Sequence, residues 1–352
     1  MASDGKATIK DIAARAAVSL TTVHRALQGD RYVRAQTRQK VLAAAAALDY
    51  RPNAMAQGLR RNHSRVIGHI VHMLYPNPFF ACVASGVEER ARTLGFATLA
   101  CNTHSSVQLE RESIEVLLQQ RVEAIVMTTP LREDNVQRVL DSGTAICVVE
   151  QPQQRSEVDT VLVDNRGGAR DAVRALLELG HRAIAYVGAR PGGVGAQERF
   201  DGYRDALRER GLEPQLEWTR FTGLRREDGY QAMNELLALP TMPAAALFAG
   251  DLPALGALQA LWDQRRRVPD DLSIISIDDT LAAAASPPLT AMAIPMWEMG
   301  ATAVDLVVRR AGSNAPLPAQ QVVLPMRLVV RASCRPVAVT DYDHYNSKVP
   351  TH

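Results

Sequence analysis

Apolar and polar positions follow two different rhythms along this chain, and the change falls near residue 66. Before it, apolar side chains recur at helical spacing. Ile12, Ala13 and Ala16 share one face of a first short helix, and Thr8 with Asp11 fits a capping box that would open it. A tight turn follows, and Ser19 is a natural N-cap for a second helix. At ~100° per residue, Leu20, Thr21, His24 and Arg25 fall within an arc of about 140°. Val23, Ala26 and Leu27 fall on the opposite side. The second helix therefore packs by one face and offers polar and basic groups on the other. A third, Ala-rich helix is predicted over about residues 36–48, and Pro52 stops it. Asn53 can cap a short helix over residues 54–59, ahead of a basic linker at residues 60–65.

From residue 66 onward, short apolar runs alternate with amphipathic helical stretches. The runs are residues 66–71, 96–101, 124–127, 145–149, 161–163, 184–187, 244–248 and 272–277. Strand–helix alternation of this kind predicts an α/β fold of parallel sheets covered on both faces. Gly180-His181-Arg182 and Gly211 stand where helices should end. The runs divide near Asp164 into two halves, and ligands in such sheets bind at the carboxyl ends of strands, in the crevice between halves. No internal repeat is strong enough to use. The tail, residues 337–352, is polar and expected to be poorly ordered.

Composition sharpens one end of the picture. Net charge is only +2, but residues 1–65 hold twelve Lys and Arg against four Asp, and the rest hold 28 basic against 34 acidic side chains. A basic head on an acidic body is an electrostatic footprint for nucleic acid confined to one end, or else an ordinary solvated basic surface. Cys82, Cys101, Cys147 and Cys334 are scattered and lack any C-x-x-C, so neither a disulfide framework nor a zinc site is expected. The N-terminus has no apolar core of a secretory signal and no run approaches a membrane span, so a cytoplasmic location is expected.

The motifs TIKDIA, AVSLTTVHRAL, LDYRPNAMAQGLR, IGHIV, NPFF, GHRAIAYVG, ERFDGY, VPDDLSIISIDD, SPPLTAMAIP and LPMRLVVRAS occur in that order over about residues 7–337. In this the chain resembles the lactose-repressor (LacI/GalR) family of bacterial transcription regulators. The resemblance implies a helix-turn-helix head over residues 1–52 and a hinge helix with linker over 53–65. A two-lobed core like the periplasmic sugar-binding proteins follows over 66–337, and a polar tail over 338–352. It also implies a homodimer on palindromic operator DNA, tuned by a small-molecule effector, with no membrane partner and no cofactor. The tetramer-forming members carry a Leu-heptad tail; residues 337–352 have none, which favours a dimer.

For the head, the resemblance makes Leu20, Thr21 and Arg25 the base readers, with Arg25 foremost because a guanidinium can bond guanine O6 and N7 together. Leu20 could meet a thymine methyl or merely pack the turn. Ser19 and Thr22 fit phosphate contacts, which position without specifying. His24 stands where the family usually has Ser; it would contact phosphate, or be a solvated histidine beside the DNA. Ala17 replaces the usual turn Gly, and Arg34 stands at the usual Ser cap of the third helix. Leu59 corresponds to the side chain that two hinge helices wedge into the minor groove, and Asn53 joins the DNA-contacting set.

For the core, the resemblance places Phe79 and Phe80 where rings stack on a ligand face, with ordinary core packing as the alternative. Arg199 matches an arginine that forks onto ligand oxygens, and Asp278 an acceptor for ligand hydroxyls. Thr128, Glu150 and Asp251 lie just past strand ends and are further lining candidates. Gly250, Ile294 and Leu224 replace a common Asn, a common Gln and an often aromatic residue. The expected effector is thus a sugar or sugar derivative, less hydroxylated or bulkier than a simple hexose, and a purine stack is disfavoured. A strong thermal shift with an ordinary aldohexose would count against this.

The predicted function is a sequence-specific, effector-controlled transcriptional regulator, most naturally a repressor of metabolic genes. A solute-binding protein would share the core, but not the basic head. An enzyme using Asp278-Asp279 or His181 lacks any nucleophile–base spacing, phosphate loop or metal cluster. Gly192-Gly193-x-Gly195 is too weak to be a nucleotide fingerprint. A regulator that acts with a partner protein remains a third alternative.

Overall fold

The computed structural model describes residues 7–27, 30–50, 64–75, 77–128 and 130–337. Its contacts divide the chain into two units, Met1–Ser64 and Arg65–His352.

In the first unit lie α1 (Ile9–Ala16), α2 (Leu20–Leu27) and α3 (Ala35–Ala47). The Thr8 side chain accepts from the Asp11 amide, and the Asp11 carboxylate accepts from Thr8 N–H at 2.7 Å, closing a capping box on α1. Ser19 Oγ accepts from Thr22 N–H at 3.1 Å at the head of α2. Ile12, Val23, Ala26, Val41, Ala44 and Ala45 close a small core from all three helices. Arg34 stands at the N-cap of α3 and makes no side-chain cap bond. The α1–α2 turn is made by Ala17 in the left-handed region, at φ 53° and ψ 47°, where a Cβ crowds the following carbonyl. Ala17→Gly is expected to stabilise this unit by about 1 kcal/mol, less the extra freedom of glycine in the unfolded chain. Slower amide exchange in α1 and α2 would report the gain; faster exchange would contradict it.

The second unit holds two six-stranded sheets. The first comprises β1 (Val66–Val71), β2 (Ala97–Asn102), β3 (Ala124–Thr128), β4 (Ala145–Val149), β5 (Asp159–Val163) and the late strand β11 (Gln321–Leu324). Their order is β11-β5-β4-β3-β1-β2, parallel throughout. The second comprises β6 (Ile184–Gly188), β7 (Thr219–Phe221), β8 (Ala245–Phe248), β9 (Ser273–Ile277), β10 (Thr290–Ala293) and β12 (Arg327–Val329). Their order is β12-β10-β9-β8-β6-β7, with β12 antiparallel. The helices are α4 (Pro78–Thr93), α5 (Val107–Gln119), α6 (Glu133–Asp141) and α11 (Met296–Ala311) on the first lobe. Those of the second lobe are α7 (Asn165–Glu178), α8 (Val194–Arg208), α9 (Arg226–Leu237) and α10 (Asp251–Asp263).

Each of the eight apolar runs is a strand; a strand buried on both faces must be apolar at successive positions, and only β2, at the sheet edge, is half-exposed. β1, β3, β6, β8 and β9 are almost wholly buried. The division at Asp164 holds, but it is incomplete. The chain crosses between lobes three times, after β5, after β10 and after β11. After β10 it returns α11 to the first lobe, where α11 packs on α4. Asp164 N–H donates to Leu324 O at 2.9 Å, pinning two crossovers together.

Two features set how closely the lobes are built. α9 and α10 cross through Gly229 and Gly256; a Cβ at Gly256 would lie 1.9 Å from Arg226 O. In the first lobe, fully buried Asp159 takes two charged hydrogen bonds from Arg310 at the end of α11, at 2.7 and 2.8 Å. Arg310 also donates to Leu317 O and Pro318 O, and Gln320 N–H donates to Asp159, so the pair clasps the segment leading into β11. No helix among the described residues is long and apolar enough to cross a membrane.

Candidate functional site

The exposed face of α2 carries Leu20, Thr21 and Arg25; Thr22 and His24 are half-buried. Leu20 is 48% exposed while Val23 and Ala26 from the same helix are buried, so the apolar Leu20 is not spent on the head's core. Ser19 Oγ and Thr22 Oγ1 hold each other at 2.9 Å. Arg25 Nε lies 3.6 Å from the Asp30 carboxylate, and the guanidinium stays largely exposed. A pair this loose and wet holds the side chain weakly and leaves its donors available. Asp30 had no signal in the sequence beyond its charge. Asn53, Leu59, the expected helix over residues 54–59 and the tail over residues 338–352 lie outside the described residues.

In the second unit, a cleft of about 210 Å³ opens between the lobes at the carboxyl ends of their strands. Phe79, Phe80, Glu150, Arg199 and Asp278 border it together. Each is placed by a strand end or a helix start. Asn77 caps α4 by accepting from Phe79 N–H at 3.0 Å, which fixes the rings that follow. Phe80 is half-buried; Phe79 is almost wholly buried in the first lobe's core and meets Phe80 edge-on at 5.1 Å. Glu150 follows β4 and Asp278 follows β9, at φ 71° and 76°. Both acids therefore occupy left-handed backbone at matching places in the two lobes, a strain that persists where surrounding structure enforces it.

Arg199 sits in the first turns of α8. Its Nε donates to Asn165 Oδ1 at 2.7 Å and one terminal nitrogen to Ala249 O at 2.9 Å, so its orientation is fixed before any ligand arrives. Glu150 Oε1 and Asp278 Oδ1 are buried and accept no hydrogen bond. Burial pushes the Glu150 carboxyl up to about 7, opposed by Arg199 and reinforced by Asp278 and Glu198. Burial likewise pushes Asp278 to about 7, with Arg199 opposing and Asp251 reinforcing. Buried carboxyl oxygens without donors are costly, and a ligand with donors relieves that cost.

Two candidates stand elsewhere. Thr128 is buried at the end of β3, with Oγ1 2.9 Å from His69 Nε2; burial holds that imidazole neutral, at about 4. Asp251 is buried at the start of α10, and its Oδ2 accepts from Thr280 N–H, Thr280 Oγ and Leu281 N–H. It thereby fixes the loop that carries Asp278. Leu224 borders the cleft, whereas Ile294 is in the core. The residues that sequence reasoning passed over are Asn165, Asn77 and Tyr186. Asn165 and Asn77 had a signal in their positions at helix starts. Tyr186 had none: its hydroxyl is buried without a partner behind Ala249, among Phe200, Tyr203 and Phe221.

The groups suspected of chemistry are engaged otherwise. His181 Nε2 meets Arg335 O at 3.0 Å, and Asp279 pairs with Arg331 at 2.7 Å. Among the described residues no cluster of three His, Cys, Asp or Glu could hold a metal ion.

Comparison with known proteins fits this division. Residues 8–53 match the model of bacterial regulatory proteins of the lacI family, and residues 173–334 match a periplasmic binding protein-like domain. The transcriptional repressor PurR of Mannheimia succiniciproducens is 32% identical over 94% of this chain and all of its own length. The regulator DegA of Bacillus subtilis is 34% identical over 94% of this chain and 99% of its own. The chain belongs to the lacI family of bacterial regulatory proteins. Among solved structures, the lac repressor dimer bound to operator and the anti-inducer ONPF covers 94% of this lacI-family chain at 28% identity, over 100% of its own, with a TM-score of 0.84. A CelR–cellobiose complex covers 93% at 31% identity, over 99% of its own, with a TM-score of 0.70. Like these relatives, this lacI-family member is a DNA-binding transcription regulator with an effector-binding core, and not an enzyme.

Proposed function

We propose that this protein acts in the cytoplasm as a homodimeric repressor of metabolic genes on palindromic operator DNA, released or engaged by an effector bound between the lobes of its core. The observation that carries this reading is the cleft: an arginine oriented in advance and two buried carboxyl oxygens without protein donors face one another across two lobes. A ligand that bridges them stabilises one angle between lobes, and only its difference in affinity for the two states can switch DNA binding. A change from 1:99 to 99:1 takes about 5.5 kcal/mol of such difference. Phe80, Glu150, Arg199 and Asp278 are assigned to the effector, Asn165 and Asp251 to positioning. Phe79 supports Phe80 from the core. The assigned domains are residues 1–52, 53–65, 66–337 and 338–352.

On the DNA side, Arg25, Thr21 and Leu20 are assigned to base edges in the major groove. Ser19, Thr22 and His24 are assigned to the backbone. Asn53 and Leu59 are assigned by family resemblance, with Leu59 as the minor-groove wedge at a central pyrimidine–purine step.

Selection of DNA from a random library by the purified full-length protein, over a salt series, tests this. A short palindrome with a flexible central step is expected, and affinity should fall by about 10³–10⁵ between 50 and 200 mM salt if ~6–10 phosphates are neutralised. Arg25→Ala should cost about 1–3 kcal/mol and relax the preference at one symmetric pair of positions. Uniform weakening across all sequences would instead make Arg25 a phosphate contact. Absence of any enriched palindrome, with and without small-molecule extracts, would sink the operator-binding reading.

A further inference from the structure

The cleft is longer than the compartment around Phe80, Arg199 and Asp278. Glu150 and Gly195 also border an adjoining compartment of about 120 Å³, which runs along the lobe crossovers past Asp164, Asn165, Glu198 and Gln321. Four carboxyls thus line two adjoining compartments that share Glu150 and Gly195: Glu150, Asp164, Glu198 and Asp278. One guanidinium, Arg199, faces them, and two of its donors are already given to Asn165 and Ala249. Arg166, the next cation, pairs with Asp205 at 2.7 Å. Asp164 caps α7 through Gly167 N–H, and Asp251 is satisfied by Thr280 and Leu281. The excess is therefore carried by Glu150, Glu198 and Asp278; burial lifts Glu150 and Asp278 to about 7, so their charge develops in full only beside a bound cation.

Acidic neighbours alone do not make a site. Here Asp278 is 7% exposed, its Oδ1 accepts nothing from the protein, and it borders the cleft; Glu150 is half-buried, and its buried Oε1 likewise accepts nothing and borders the cleft. These oxygens are built for donors that the chain does not supply. Hydroxyls alone would satisfy the lone pairs and leave the charge excess. A carboxylated or phosphorylated ligand would add to it. An ammonium group answers both, since a charge-assisted hydrogen bond is about twice as strong as a neutral one.

We propose that the effector is a two-part organic cation: a hydroxylated ring held between Phe80, Arg199 and Asp278, joined to an ammonium-bearing part beside Glu150 and Glu198. This rests on the cleft being the effector site. The second compartment sets the length, because a single ring placed on Phe80 does not also occupy the space along Glu198 and Gln321. The crossovers that border this space, at Asp164 and next to β11, are the segments about which the lobes would move. The ammonium is thus bound at the place where lobe angle is set.

Three β-1,4-linked two-residue probes test the charge rule on the full-length protein: the glucosamine dimer, cellobiose, and cellobionic acid with its oxidised residue open-chain, by calorimetry and thermal shift. The diamine is expected to bind about tenfold tighter than cellobiose or more, and cellobionic acid not at all. Glu198→Gln should lower diamine affinity by about tenfold and leave cellobiose unchanged, while E198D retains part of the difference. The proposal is overturned if cellobiose or cellobionic acid binds as tightly as the diamine. It is equally overturned if the diamine gives neither heat nor shift at millimolar concentration, or if E198Q weakens both sugars alike. Operator selection without ligand is scored separately. A palindrome with no diamine binding removes the charge rule and keeps the regulator; no palindrome removes the regulator.

Discussion

Replacing Arg310 with alanine is expected to destabilise the core by about 3–5 kcal/mol. The cause is what the variant leaves behind. Asp159 is fully buried, and its two oxygens are held by Arg310 and by Gln320 N–H. Without the guanidinium, a carboxylate remains in a low-dielectric interior with one amide donor. The loss also frees Leu317 O and Pro318 O, so the segment entering β11 loses its clasp. Urea unfolding would show a lower midpoint with the slope unchanged. The double variant D159L R310M should recover the part of the loss that comes from the unpaired carboxylate, while Leu317 O, Pro318 O and Gln320 N–H still lose these partners. A single variant within about 1 kcal/mol of the parent would mean that water reaches Asp159 and that the pair is not truly buried.

The second large effect is a dependence on pH with an unusual sign. Carboxylates paired in a folded protein normally make it more stable as pH rises. Glu150 and Asp278 do the reverse, since burial lifts both to about 7, far above their range in the unfolded chain. Below about pH 4 both states hold the protons and no penalty applies. Between pH 4 and 7 the folded state holds protons that the unfolded state has released, so stability falls with rising pH. Above pH 7 the folded state carries the full cost of two buried charges, on the order of a few kcal/mol. Buried His69, held at about 4, acts in the opposite direction up to its ordinary value near 6.5. The decisive quantity is therefore the difference between variants and parent. Asp278→Asn and Glu150→Gln should each be more stable than the parent at pH 8, and the gap should shrink as pH falls and close below about pH 4. Asn tolerates the left-handed backbone at Asp278, so its gain is not masked by strain. A D278N protein less stable than the parent at pH 8 would show that the Asp278 carboxylate has a donor in the free protein. An effector that supplies donors or a positive charge should remove the parent's excess slope, which links stability, pH and occupancy in one measurement.

How the site came to be legible is clearest residue by residue. Arg199, Asp278, Glu150 and Phe80 stand just past strand ends or in the first turns of helices, and parallel sheets put such positions at one edge. Two sequence halves then bring them face to face. Thr128 and Asp251 satisfy the same positional rule, yet each turns to a protein partner, His69 in one case and the Thr280–Leu281 loop in the other. Position along the strand says that a side chain is near the cleft edge. It does not say which hydrogen-bond partner lies closer. Asn165 shows the reverse: it lies immediately after the crossover residue Asp164 and orients Arg199 from 34 positions away in sequence.

The amino-acid sequence by itself determined the kinds of elements and their chemistry. Helical spacing and caps at Thr8 and Ser19 produce the small head with Leu20, Thr21 and Arg25 outward, because those are local effects of period and hydrogen-bond competition. Eight short apolar runs separated by amphipathic stretches point to parallel strands, and seven of them are largely buried while β2 is a half-exposed edge strand. Tertiary structure decided the rest. The strands β7, β10, β11 and β12 are three or four residues long and carry no period of their own; neighbouring strands recruit them. The return of α11 and β11 to the first lobe depends on contacts such as Asp159–Arg310, 151 residues apart. The cluster of Glu150, Glu198 and Asp278 around one arginine exists only because three crossovers bring the two lobes together, and burial withholds water from the Glu150 Oε1 and Asp278 Oδ1 oxygens.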